Sequence, residues 1–250
     1  MSASGILLAL ETSGDVCGIA LTRDGLLLSE CRFRHEMHLS ERILGEMSVL
    51  LKASGLTLSE VEAFGVGIGP GSFTGTRIGV MTLKTLASVQ QKPIYGISSL
   101  AALAAHYSGL QNTQVVPVLP CRPGTVFAAI YDVSGTVPNT LLAPDAFTLD
   151  ELWQTIAAQN PSAVMFCGSG AARYRQELTQ LLEAIPLSFG IPTEPSPALI
   201  ARLADLRRAA EPSDDVLALV PLYIAPPPIS QSKTPIPTGL PPEVQSSQSS

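Results

Sequence analysis

Short apolar runs broken by turn residues open the chain. Residues 6–12 are apolar and break at Ser13-Gly14-Asp15; residues 16–22 follow, and Asp24-Gly25 leads into 26–34. This pattern predicts three antiparallel strands, with the second turn the better defined because Asp-Gly tolerates positive φ at both central positions. Next, Ile43, Leu44, Met47, Leu50 and Leu51 recur at helical spacing between Ser40, a candidate N-cap, and Ser54-Gly55, where glycine suits the left-handed position past a helix end. Thr57-Leu58-Ser59-Glu60 has the capping-box pattern for one short turn, and the apolar residues 63–68 read as a strand running into a glycine-rich loop. A helix is predicted over 74–89, a strand over 93–97, and a further helix capped by Ser98.

The loop composition of residues 109–113 marks a junction between two halves. Beyond it, 115–119 and 125–132 read as a hairpin closed at Ser134-Gly135, a helix capped by Thr148 runs through Ala158, and 163–167 is a buried strand. Gly168-Ser169-Gly170 leads into a helix through Ala184, and 196–210 forms one more helix. Residues 216–224 are either a last strand or an extended segment laid along the first half. Past Ala225 the chain has seven prolines, many Ser and Gln residues and no aromatic residue, so it cannot bury a core and reads as a disordered tail. The expected division is an N-terminal domain over 1–109, a smaller C-terminal domain over 110–224 and a tail over 225–250.

Composition fits an α/β protein: 46% of residues are hydrophobic and 14% charged. A net charge of −6 argues against a broad basic surface that binds nucleic acid unaided, so a tRNA would reach this chain only through a partner. The small basic groups, Arg32 with Arg34 and Arg202 with Arg207 and Arg208, read as solvated faces. No apolar run approaches the ~20 residues that cross a bilayer, and the first residues lack a basic signal region, so the expected location is the cytoplasm. Cys17, Cys31, Cys121 and Cys167 form no C-x-x-C pair and read as reduced thiols. His35 and His38 do not have zinc-protease spacing, and no metal ligand is expected.

The candidate chemistry lies at Gly67-Ile68-Gly69-Pro70-Gly71-Ser72-Phe73-Thr74-Gly75-Thr76-Arg77-Ile78-Gly79, a strand-to-helix junction. Unpaired N–H groups at a helix start attract anions, and Gly69, Gly71, Ser72, Thr74, Gly75 and Arg77 are the candidate anion- or nucleotide-binding residues. Neither the Walker nor the dinucleotide glycine pattern fits any register. The competing reading is that the glycines only permit a tight turn and close helix packing.

Residues 69–79 resemble the signature of the TsaB family, G-P-G-S-F-T-G-x-R-I-G. Leu8-Ala9-Leu10-Glu11-Thr12-Ser13, His38 with Arg42-Ile43-Leu44, Gly96–Leu100 by position, and Arg122, Gly124, Val126 and Phe127 agree with it. The resemblance implies two ribonuclease-H-like α/β domains of the actin-like ATPase and sugar-kinase type, each with a five-stranded mixed sheet. It implies a non-catalytic subunit that pairs with TsaD, with TsaE completing the assembly, for transfer of threonylcarbamoyl to adenosine 37 of tRNA. On this reading the chain needs no cofactor itself and ATP and metal sit at the partner subunits; the apolar helix face that would meet TsaD leaves a homodimer possible in the chain alone. Helices 40–53 and 74–89 would meet TsaD, with Ile43, Met47, Leu50, Ile78 and Thr82 as interface candidates; the apolar ones read equally as core. Glu11 stands where the family has Asp, Pro120-Cys121 replaces Asp-Ala, and Tyr223-Ile224-Ala225 lacks the following arginine; the first two argue against a metal–nucleotide site. Other readings are an independent ATPase or kinase of the same fold and a peptidase, for which Ser72 has no His-Asp set.

Overall fold

The computed structural model of the chain describes residues 5–34, 38–181, 185–191 and 193–224. Strands β1 (Ile6–Glu11), β2 (Val16–Arg23) and β3 (Leu26–Arg34) form the expected antiparallel meander. Helix α1 (Leu39–Ala53) follows. His38, at φ 68°, is its N-cap residue in place of the expected Ser40. A single 3₁₀ turn over Leu58–Glu60, closed by the Thr57/Glu60 capping box, leads into β4 (Val61–Gly67), α2 (Phe73–Gln90), β5 (Ile94–Ile97) and α3 (Ser99–Ala105). The first sheet has the order β3-β2-β1-β4-β5, with β4 parallel to β1 and β5 parallel to β4.

The second sheet repeats this plan. It contains β6 (Gln114–Pro120), β7 (Val126–Asp132), β8 (Asn139–Phe147), β9 (Val164–Cys167) and β10 (Leu187–Phe189) in the order β10-β9-β6-β7-β8. Helices α4 (Leu149–Ala157), α5 (Ser169–Arg173) and α6 (Arg175–Leu181) accompany it, and α7 (Pro197–Ala210) follows. Two strands were not expected. β8 carries Pro144 and lies on the sheet edge, where a missing N–H is tolerated; β10 has three residues, too few for a periodic signal. The single helix expected through Ala184 is instead two, α5 and α6, that meet at Tyr174.

Burial explains the layering. One face of the first sheet, with Leu8, Leu10, Ile19 and Leu21, packs on Ile43, Met47 and Leu50 of α1 and Val80 and Leu83 of α2. The opposite face presents Leu7, Ala9, Ala20 and Ala63 to Ile200, Ala201 and Ala204 of α7. Thus α7, expected within the second domain, crosses back to the first sheet, because the alanines of β1, β2 and β4 leave a shallow face that admits a helix closely. Leu100, Leu103 and Ala104 of α3 join Val115, Phe127, Ala129 and Tyr131 of the second sheet, while Ala102 and Ala105 turn to the α7 side. The junction between halves is therefore a packed helix, not a free linker. The outer face of the second sheet packs Val116, Val118 and Phe166 on Leu152, Ile156 and Leu178. The expected tail over 225–250 lies outside the described residues.

Gly45 sits inside α1 with nothing within 4 Å of a Cβ added there. Gly45→Ala is expected to raise stability by about 0.5–1 kcal/mol through helix propensity. Gly75→Ala, whose Cβ would strike the Thr12 carbonyl oxygen, is expected to cost about 1–3 kcal/mol. Urea denaturation of the two variants measures both effects, and equal midpoints would contradict the packing described.

Candidate functional site

The glycine-rich loop joins β4 to α2. Ser72 is the N-cap of α2, and its Oγ accepts from the Gly75 N–H at 3.2 Å. The loop is fastened to both neighbours: the Ser72 N–H donates to the Ser13 carbonyl at 2.7 Å, and the Ser99 N–H donates to the Gly69 carbonyl at 2.8 Å. The glycines face the end of β1 and the two residues after it. A Cβ at Gly71 would meet the Ser13 carbonyl oxygen, one at Gly75 the Thr12 carbonyl oxygen, and one at Gly79 the Thr12 hydroxyl. Gly75 and Gly79, four apart, share one face of α2, and Gly71 lies in the loop just before it, so hydrogen in place of a side chain at all three lets α2 lie on β1.

Glu11, at the end of β1, is fully buried. Its Oε1 accepts from the Ser13 N–H at 2.6 Å, and its Oε2 accepts from the Ser99 hydroxyl at 2.7 Å. The Ser13 hydroxyl in turn donates to Ser99 Oγ at 3.0 Å. A Cβ on Gly67 would occupy the carboxylate's place. Burial pushes the Glu11 carboxyl above the usual carboxylate range, while the bonds from Ser13 and Ser99 oppose that shift.

A cleft of about 800 Å³ opens between the two halves. The first half contributes Ser13, Gly14, Asp15 and the start of α2 from Gly71 to Thr74; the second contributes Leu119 to Arg122, Phe127, Ser169 and Arg173, and Glu194 closes one side. Of the candidate anion-binding residues, Gly71, Ser72 and Thr74 line this cleft. Gly69 and Gly75 are buried beneath it. Arg77 is outside the lining, with its guanidinium 5.8 Å from the Phe73 ring centre. Sequence reasoning missed Arg122 and Arg173 as cleft residues, because only the second sheet's placement brings them opposite α2.

This fold family is associated with metal-bound nucleotide, and the residues here do not fit that group. The acid at the end of β1 is turned inward and sealed by Ser13, Gly67 and Ser99. Pro120 offers no second carboxylate, and among the described residues no three His, Cys, Asp or Glu side chains gather where they could hold a metal ion. The cysteines are free thiols; burial pushes Cys17 and Cys167 up to about 12.

The interface candidates divide. Ile43, Met47 and Leu50 are buried in the first core, the second of the two places expected for them: they face the sheet that α1 covers. Ile78 and Thr82 are half-buried, and the Thr82 hydroxyl donates to the Ile78 carbonyl at 2.8 Å. The outward positions are Leu44 and Val49 on α1 and Met81 and Val89 on α2, each more than half exposed.

In the unfolded chain the Glu11 carboxyl ionises near 4.5, so above that pH the unfolded state gives up a proton that the folded state holds longer. Wild-type stability therefore falls as pH rises through the raised value. Glu11→Gln carries no such proton and is expected to gain on the wild type in urea denaturation as pH rises above about 4.5. A difference between the two proteins that stays constant with pH would contradict the buried, raised carboxyl.

The family model described as TsaD, tRNA N6-adenosine threonylcarbamoyltransferase, matches residues 34–193. The chain is 29% identical over 222 residues to the tRNA threonylcarbamoyladenosine biosynthesis protein TsaB of Bacillus subtilis, covering 87% of this chain and 93% of that one. It is 33% identical to the Escherichia coli TsaB over 126 residues, 50% of this chain and 54% of that one. Among solved structures, a Pseudomonas aeruginosa protein described as similar to the peptidase YeaZ superposes with a TM-score of 0.74 at 24% identity, over 88% of this chain and 100% of that one. A Thermus thermophilus ROK hexokinase superposes at 0.52 and 14% identity, over 82% and 99%, which places the fold with the actin-like sugar kinases. The repeated five-stranded plan, the signature loop and these likenesses agree: the chain belongs to the threonylcarbamoyltransferase-related family and, within it, to the TsaB (YeaZ) branch.

Proposed function

We propose that this chain is the non-catalytic subunit of a machinery that transfers threonylcarbamoyl to adenosine 37 of tRNA, working with a TsaD-type transferase and a TsaE-type ATPase in the cytoplasm. The observation that carries this reading is the likeness to a TsaB protein over nearly the whole of both chains. The sealed Glu11 supports a supporting role over catalysis, since the acid that kinases of this fold direct at metal and phosphate is here spent on Ser13 and Ser99. The same feature disfavours an independent ATPase or kinase, and no His-Asp pair near Ser72 supports a peptidase. tRNA reaches the chain through the assembly, in keeping with the net charge of −6. No helix among the described residues is long and apolar enough to cross a membrane.

The transferase docks on the outward faces of α1 and α2. Leu44, Val49, Met81 and Val89 are large apolar side chains in water, a cost that a partner's surface removes. In the chain alone the same face can serve a second copy.

Purified chain, TsaD and TsaE of the same genome, tRNA and threonylcarbamoyl adenylate are expected to give modified tRNA only when all three proteins are present. The chain alone is expected to turn over no ATP. Leu44→Glu with Met81→Glu is expected to abolish co-purification with TsaD and to leave the urea midpoint within about 0.5 kcal/mol of wild type. Transfer at full rate without this chain would overturn the proposal.

A further inference from the structure

The chain makes one more crossing after α7. Residues 214–224 leave the C-terminal end of that helix, run along the first half, and finish against the second. They form no strand of either sheet beyond one bridge between Asp214 and Ile94. The expected alternatives for 216–224 therefore resolve to an extended segment on the first half.

Its attachment to the first half is dense. The Asp214 carboxylate accepts from the Gly96 N–H at 2.6 Å and from Arg207 Nη1 and Nη2 at 3.2 and 3.0 Å. Arg207 also donates to the Gly96 carbonyl at 2.9 Å, so one guanidinium joins α7, β5 and the segment. Lys84 of α2 donates to the Leu217 and Leu219 carbonyls at 3.1 and 2.7 Å, satisfying backbone acceptors where no strand pairs with them. The Leu222 N–H donates to the Ile68 carbonyl at 2.8 Å, and Val216 and Leu219 pack on the first core. Gly96 leaves the room: a Cβ there would come within 2.7 Å of Leu219 Cδ1 and 2.9 Å of Ile68 Cγ2.

The end of the segment behaves differently. The Tyr223 ring packs at a tilt of 37° against that of Phe73, the first residue of α2, with ring centres 5.2 Å apart. Ile224, the next residue, packs on the second-half core that contains Phe127. A small pocket of about 30 Å³ beside the main cleft is lined by Gly71, Phe73, Thr76, Phe127 and residues 221–224. Phe73 and Phe127 line the main cleft as well. The two halves are thus joined by α3, whose two faces are buried toward opposite halves, by the return of the chain from β10 into α7, whose Arg202 donates to the Thr136 carbonyl at 3.5 Å, and by residues 223–224 beside the cleft. A rotation of the second half about α3 would change the cleft opening, and it would have to break the Ile224 contact or peel the segment from Ile68 and Lys84.

We propose that residues 214–224 act as a latch that holds the cleft between the halves at one opening, with its fixed end on Asp214 and Lys84 and its releasable end at Tyr223 and Ile224. Release costs two apolar contacts and breaks no ion pair, whereas detaching the fixed end would take the Gly96 N–H and Arg207 from Asp214 and both carbonyls from Lys84, leaving Arg207 its bond to Glu211. The opening motion therefore begins at Tyr223 and Ile224. The inference is independent of the partner subunits and concerns the isolated full chain.

Amide hydrogen exchange on the full chain tests it. Tyr223→Ala with Ile224→Ala is expected to speed exchange by about tenfold in both cleft walls, residues 71–76 and 119–127, while the Asp214 and Leu219 amides keep the wild-type rate. Lys84→Met is expected to speed exchange at Leu219 and Leu222 as well as in both walls, because it loosens the fixed end. Faster exchange confined to 221–224 in the double variant, with both walls unchanged, would overturn the latch. So would a uniform rise across both sheets, which would report global destabilisation.

Discussion

Helix α2 approaches the end of β1 so closely that no side chain fits between them. Gly71, Gly75 and Gly79 each point the place of a missing Cβ at Ser13 or Thr12, and the rest of the first half is arranged around that contact. The Ser72 N–H is satisfied by the Ser13 carbonyl and the Gly69 carbonyl by Ser99, so the same joint that admits α2 also positions the start of α3. Because α3 is a packed element between the sheets, the placement of the second half depends on the missing side chains of Gly75 and Gly79 on α2 and of Gly71 in the loop before it.

The same crowding decides the chemistry. A carboxylate at the end of β1 would reach a metal-bound phosphate if it faced the cleft, but Glu11 is held inward, and Gly67 leaves space for its carboxylate. Burial costs the charged form more than its hydrogen bonds return, so the carboxyl is held above the usual carboxylate range. The cleft survives as a geometric feature, lined by Arg122 and Arg173 and by Asp15 and Glu194. On the outside of α1 and α2, Leu44 and Met81 stay exposed while Met47 and Leu83, on the same helices, are consumed by the core.

Much of this was legible in the residues. The meander of β1 to β3, the strand-loop-helix order at the signature and the caps at Ser98 and Thr148 follow from local turn and capping chemistry, which needs no distant partner. The failures that matter for the architecture are long-range. The alternation of α1 could not say which apolar residues face sheet and which face solvent, because Ile43, Leu44 and Met47 look alike until the sheet is present. The alanines that receive α7 lie more than a hundred residues before it, so its return to the first sheet left no local mark. β8 was hidden by Pro144, which a sheet edge tolerates. At the loop, sequence left anion binding and close packing even; the positions of Thr12 and Ser13 beneath the glycines favour packing.

The central claim is that the end of β1 serves the fold and not a nucleotide. Calorimetric titration of ATP into the isolated chain, with magnesium or with chelator, and again with Glu11→Gln, tests it most directly. The account expects the four titrations to agree, with no heat that depends on magnesium or on the Glu11 carboxylate. Magnesium-dependent binding in the wild type that disappears in Glu11→Gln, with the variant still folded, would contradict it.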